Sequence, residues 1–160
     1  MKKLVWMLLL ALMLSGCAPA ETFETLGDVD MAPVIRQERS LELALPEGAE
    51  VIQGAEGTLY LCDGYSLTVE VRSAGDLGST MRNLTGFGTD ALTVIETAAG
   101  DASRYECVWT AAGEGGDTVG RAMVLDDGAY HYCVTIQYSA GDASRMQEVW
   151  KEITDSVALS

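Results

Sequence analysis

The stretch that most narrows what this chain can fold into is GRAMVLDDGAYHYCVTIQYSA, Gly120 to Ala140. After its centre, Tyr130, Tyr132, Val134, Ile136 and Tyr138 fall on every second position, with His131 and Cys133 between them. A period of two places those two sets on opposite faces of a strand. Asp126-Asp127-Gly128 supplies the turn that folds this strand back on the run before it, so the segment is an antiparallel hairpin. A lone hairpin is marginal in water, and further strands or a helix must cover its apolar face.

The rest of the chain offers those partners. TLYLC and SLTVEVR flank Asp63-Gly64 and form a second hairpin, with Leu67, Val69 and Val71 on one face and Ser66, Thr68, Glu70 and Arg72 on the other. LELALPEG alternates at Leu41, Leu43 and Leu45, then breaks at Pro46 and Gly48. ALTVIETAA and RYECVWTAA read as strands, and AGEGGD, Ala112 to Asp117, as the glycine-rich connection after them. Leu77, Met81 and Leu84 fall at helical spacing between a capping Asp76 and a terminating Gly86. Met146, Val149, Trp150, Ile153 and Val157 make the apolar stripe of a closing helix over residues 143–157, with Asp142 as N-cap. Glu148, Lys151, Glu152 and Asp155 of that helix face water. The hexapeptide AGDASR occurs at 99–104 and again at 140–145, but the first copy runs into a strand and the second into the helix. Gly-Asp turn chemistry accounts for both without a duplication.

The N-terminus has a different character. Lys2 and Lys3 precede an unbroken apolar run from Leu4 to Leu14, followed by the small residues Ser15 and Gly16. At about 1.5 Å per residue this run spans roughly half the hydrocarbon core of a bilayer, the length of a secretory signal rather than of a membrane span. LSGC, Leu14 to Cys17, resembles the lipobox of bacterial lipoproteins. The resemblance implies a diacylglycerol on the Cys17 sulfur and cleavage that leaves Cys17 as the first mature residue. It also implies residence at the outer face of the bacterial cytoplasmic membrane, or at a periplasm-facing membrane in a Gram-negative cell. An ordinary secretory signal cut after Ala18 or Ala20 is the competing reading. The expected organisation is a signal peptide at 1–16, an acidic tether with Pro19 and Pro33 at 17–39, and one domain at 40–160.

Charge excludes some partners. Without Lys2 and Lys3, eight bases face 24 acids, a charge of −16. No basic footprint for nucleic acid remains, and an anionic lipid surface repels the domain. Apart from Cys17 there are three cysteines, Cys62, Cys107 and Cys133, all in strand-like apolar runs. They are either three buried thiols or one disulfide, in any of three pairings, plus one free thiol. No CxxC or HxxxH spacing is present, so neither a metal site nor a cofactor is expected.

Over residues 40–160 the order of strands, hairpin and closing helix resembles the PsbP/Mog1-like domains. The carriers are LTVIE, the hairpin segment, MQEVWKEITDSVAL and the tail Ser156-Val157-Ala158-Leu159. That resemblance implies an α+β fold, an antiparallel sheet covered by helices in an αβα sandwich. It implies a protein-binding or assembly role more than a catalytic one, and it assigns no binding residue here.

The candidate chemistry is sparse. His131 is the only histidine, so any serine or cysteine triad must use it, and no G-x-S-x-G elbow accompanies it. AGEGGD lacks the Gly-Lys-Ser/Thr ending of a phosphate loop, and Glu114 and Asp117 repel phosphate. Glu114, Asp117, Asp126 and Asp127 lack any calcium-loop spacing. The aromatic residues mainly suit a core. Tyr105, Trp109, Tyr130 and Tyr132 would form an interaction patch wherever they stay exposed beside AGEGGD.

The expected function is a membrane-anchored, non-catalytic binding role toward an envelope protein. One alternative is a small-ligand-binding lipoprotein with an apolar pocket between helix and sheet. Another is an envelope hydrolase, marked by a buried acid beside His131.

Overall fold

A computed structural model describes residues 36–160, and the compact unit is Arg36–Ser160. The leader, Cys17 and the tether up to residue 35 lie outside the described residues. In chain order the elements are β1 (Leu41–Glu42), β2 (Glu50–Gln53), β3 (Gly57–Cys62), β4 (Tyr65–Ser73), α1 (Leu77–Thr85), β5 (Val94–Ala99), β6 (Ala102–Ala111), β7 (Thr118–Asp126), β8 (Tyr130–Ser139), α2 (Ala143–Ser156) and β9 (Ala158–Leu159).

Seven strands form one antiparallel sheet in the order β2-β3-β4-β8-β7-β6-β5, and β1 pairs with β9 in a separate short ladder. The hairpin of Asp126-Asp127-Gly128 lies at the centre. Gly128 takes φ +85°, and its N–H donates to the Asp126 carboxylate at 2.7 Å. Asp127 accepts from the backbone of Ala129 and Tyr130 at 2.9 and 2.8 Å. The other hairpin turns at Gly64, φ +80°. Only glycine holds such a φ without a Cβ clash.

Each face of the sheet carries one helix, so the fold is α+β with helix, sheet and helix in three layers. On one face Met146, Trp150 and Ile153 of α2 bury Leu67, Met123, Val134, Ile136 and Tyr138. On the other, Met81 of α1 packs with Cys107, Trp109, Ala122, Val124 and Cys133. Trp109 lies flat over Gly120, where an added Cβ would fall 2.1 Å from the indole, so the close approach requires glycine. Asp76 caps α1, accepting from Ser79 N–H at 2.8 Å, and Gly86 ends it at φ +80°.

Three local details differ from the sequence reading. The alternation of LELAL yields only a two-residue strand, because Leu41 and Glu42 pair with Leu159 and Ala158 rather than joining the main sheet. Glu50–Gln53 forms a strand that the reading left out, and it is an edge of the sheet. Asp142 stands at the N-cap position of α2 but makes no capping hydrogen bond, and its carboxylate sits 3.7 Å from Arg145.

Candidate functional site

The aromatic set does not form one patch. Tyr105 and Trp109 share a face of β6 with Cys107, and register aligns them with Val124 and Gly120, the α1 side of the sheet. Tyr132 aligns with Leu125 and Val71, the α2 side. Tyr130 lies two residues before it, with ring centroids 6.2 Å apart. Trp109 and Tyr132 are buried and Tyr105 and Tyr130 half-buried. The four residues are divided between two faces and do not form one continuous surface. Core packing explains Trp109. Tyr132 serves the junction described below.

His131 is fully buried on the α1 side. Its Nδ1 lies 2.8 Å from Thr80 Oγ1, and its Nε2 lies 3.6 Å from an Asp126 oxygen, beyond hydrogen-bond distance. Hydroxyl, imidazole and carboxylate stand in triad order, but Asp126 is part-exposed and is not the buried acid that would mark a hydrolase. The chemistry around it is unfavourable. Thr80 is itself buried, its N–H donates to the Asp76 carbonyl, and Ser79 N–H goes to the Asp76 carboxylate. The backbone donors at this helix start are thus spent on a local anion, where an oxyanion hole needs them free. The Thr80–His131 contact pins α1 to β8.

Beside α1 an open groove of about 490 Å³ runs along β4, lined by Glu56, Arg72, Asp76, Ser79, Thr80 and Asn83 among others. Arg72 is already clamped by buried Glu70 through two 3.0 Å bonds and lies 3.5 Å from Glu56. Both links raise the guanidinium pKa, the Glu70 bond most. Small-ligand sites are mostly apolar with a few polar groups. This groove has the reverse composition and does not match the expected helix–sheet pocket.

The three cysteines beyond Cys17 are free. Cys107 and Cys133 are on β6 and β8 with β7 between them, so two strand spacings, roughly 10 Å, separate them, too far for a disulfide. Cys62 pairs with Tyr65 on the α2 side. Burial pushes the Cys133 thiol up to about 12, with the Glu70 charge adding to the effect. Cys107 is raised by burial too, and its sulfur lies 3.9 Å from that of Met81. Among the described residues no group of three or more His, Cys, Asp or Glu side chains is placed to hold a metal.

The densest polar network lies where the chain enters the domain. Arg36 donates to the Asp127 carbonyl, and Arg39 makes two bonds to Asp101, at 2.9 and 3.2 Å. Arg39 N–H donates to the Tyr132 hydroxyl at 2.8 Å, and that hydroxyl donates to Asp127 at 3.2 Å. Arg39 also reaches the Leu159 carbonyl, and Ser40 and Ser160 exchange two backbone bonds of 3.0 Å. Burial works to raise the Asp127 pKa, but the N–H groups of Ala129 and Tyr130, the Tyr132 hydroxyl and Arg36 together hold it below the usual value. Asp101 is lowered chiefly by its bond to Arg39. The first and last described residues of the compact unit are therefore fastened at one seam. From sequence alone Tyr132 looked like an interface residue; nothing local to it signals that its hydroxyl meets residues 93 positions away.

Among the described residues a seven-stranded antiparallel sheet carries one helix on each face and is closed by the C-terminal one, an α+β fold. No family model and no curated protein matches the chain. Among solved structures it is similar to LpqN of Mycobacterium tuberculosis, a protein involved in cell envelope biogenesis. The TM-score is 0.54 at 9% identity, over 77% of this chain and 84% of that one. Cyanobacterial PsbP (CyanoP) from Synechocystis gives a TM-score of 0.55 at 9% identity, over 75% of this chain and 86% of that one. A Bacteroides thetaiotaomicron protein gives 0.52 at 11% identity, with 75% of this chain covering only 45% of the other. At such identities the likeness shows the fold alone.

Proposed function

We propose that this chain is an extracytoplasmic lipoprotein, held at the membrane by a lipid on Cys17, whose PsbP-like domain has a non-catalytic accessory role toward a protein of the cell envelope. The observation that carries the reading is LSGC at Leu14–Cys17 directly behind a signal-like apolar run. Two acyl chains hold a protein stably where one is marginal. Eighteen residues, 18–35, separate Cys17 from Arg36, where the compact unit begins. A flexible chain of that length reaches roughly 23 Å, which lets an acidic domain work clear of the headgroups. Among the described residues no helix is long and apolar enough to cross a membrane. The envelope role of LpqN, a protein of the same fold, is compatible with this assignment.

Intact-mass measurement of the chain purified from cells, together with fractionation of Cys17→Ala, tests the anchor. The expected result is a mature chain beginning at a diacylated Cys17, and a variant released from the membrane fraction. An unmodified N-terminus beyond residue 17, or a variant that stays membrane-bound, overturns it.

A further inference from the structure

Resting on the accessory role proposed above, we infer that the β2 edge of the sheet is where the partner docks, and that the partner supplies an extended segment with alternating apolar and basic side chains. Three observations converge there. First, β2 is a terminal strand with all four residues exposed, and among the described residues no strand lies beside its outward N–H and C=O groups. Such an edge is a template for strand addition. Native edges are blunted by shortness, charge, proline or a bulge; the four-residue β2 carries one charge, Glu50, has no lysine or proline, and pairs with β3 without interruption.

Second, the apolar exposure is concentrated at this end. Of six large hydrophobic side chains left exposed, Leu45, Val51, Ile52 and Leu61 fall within residues 45–61. Register puts Ile52 opposite Leu59 and Glu50 opposite Leu61, so Ile52, Leu59 and Leu61 share one face. This is the α1 side, but α1 packs over β6, β7 and β8 and does not reach it.

Third, the segment's own side chains carry one sign of charge, and Arg145, which reaches this turn from α2, donates to the Asp63 carbonyl at 3.4 Å rather than to a carboxylate. Residues 44–64 contain Glu47, Glu50, Glu56 and Asp63 and no Lys, Arg or His. Among the described residues Glu47, Glu50 and Asp63 form no ion pair, while Glu56 lies against Arg72. An apolar strip edged with unpaired carboxylates favours a basic strand. It disfavours a second copy of this chain, which brings the same carboxylates, and it disfavours anionic lipid.

The test uses the full chain in detergent micelles and three labelled octapeptides. One alternates Lys and Val, one alternates Glu and Val, and one repeats the Lys/Val pattern with proline at two central Val positions. Fluorescence anisotropy should show binding of the Lys/Val peptide. The Glu/Val peptide and the proline peptide, the latter equal in charge but unable to complete a ladder, should bind at least about tenfold more weakly. Glu50→Lys and Ile52→Glu should each weaken the Lys/Val peptide about tenfold, and Ile95→Glu on the opposite edge should leave it unchanged. No binding, equal binding of the Lys/Val and proline peptides, or loss with Ile95→Glu in place of Ile52→Glu overturns the assignment. So does light scattering that shows two copies associating through β2, which would make a second copy the occupant. Cys17→Ala should bind the peptide as the unaltered chain does, so failure of the anchor and failure of the docking edge are separable.

Discussion

At the β5 end of the sheet, half-buried Val94 packs against the α1 core and Trp109 covers Gly120 two strands in, while Ile95 on the other face is 61% exposed. At the β2 end no side chain of the edge strand is buried, and Ile52 and Leu61 face solvent side by side. Both ends are acidic; next to β5, Arg104 of β6 pairs with Glu106 at 2.8 Å, whereas Glu47, Glu50 and Asp63 at the β2 end form no ion pair among the described residues. The difference teaches which part of the sheet is spent on stability. Strands β8 and β7 lie between the two helices, with β4 packed under α2 and β6 under α1, and β2 and the outer face of β3 extend beyond them. A domain that needed β2 for its core would bury some of it.

The contrast can be broken first at its strongest point. Trp150 of α2 is buried over the central strands, and its indole N–H reaches Glu106 at 3.3 Å. Trp150→Ala is expected to cost about 3–5 kcal/mol in a denaturant unfolding curve. A loss below about 1 kcal/mol would mean that α2 is not the main cladding. Thr80→Val leaves the His131 Nδ1 buried without its 2.8 Å partner, with an expected loss of about 1–3 kcal/mol.

Thiol labelling sharpens the same division without altering the chain. Burial holds the thiols of Cys107 and Cys133 above their ordinary pKa, the latter at about 12, so little thiolate forms at pH 8. Cys62, half-buried at the β3–β4 turn, should be the only one of these three alkylated by iodoacetamide in the native state, and all three should react in denaturant. Mass spectrometry of the labelled peptides reads the result. The smallest effect belongs to the bare edge. Ile52→Glu, in a side chain 43% exposed, should change stability by less than about 0.5 kcal/mol.

Much of this plan was legible in the sequence, and the misses have specific causes. Period-two alternation and Asp-Gly turns gave both major hairpins, and i, i+3, i+4 spacing gave the helices. Period two assigns each strand two faces but does not say which face joins its neighbour's. Strand order decides that, so Tyr105 and Tyr132 could be grouped from sequence and still lie on opposite sides of the sheet. β2 escaped because four exposed residues between Ala49 and Gly54 carry no burial pattern to read. The seam joining Arg39, Asp101, Tyr132 and Leu159 escaped because its bonds span 62 to 120 residues. The proposed lipid anchor is a different case: it rests on four adjacent residues, LSGC, that resemble a lipobox and lie outside the described residues.

Hydrogen exchange on the full chain in micelles, with and without the Lys/Val peptide, compares the two edges most directly. The unequal edges predict that amides of Glu50–Gln53 exchange quickly in the free chain and become protected when the peptide is added, while Val94–Ala99 is unchanged. Protection at Val94–Ala99 instead, or none at either edge, would contradict the assignment of β2 as the working edge.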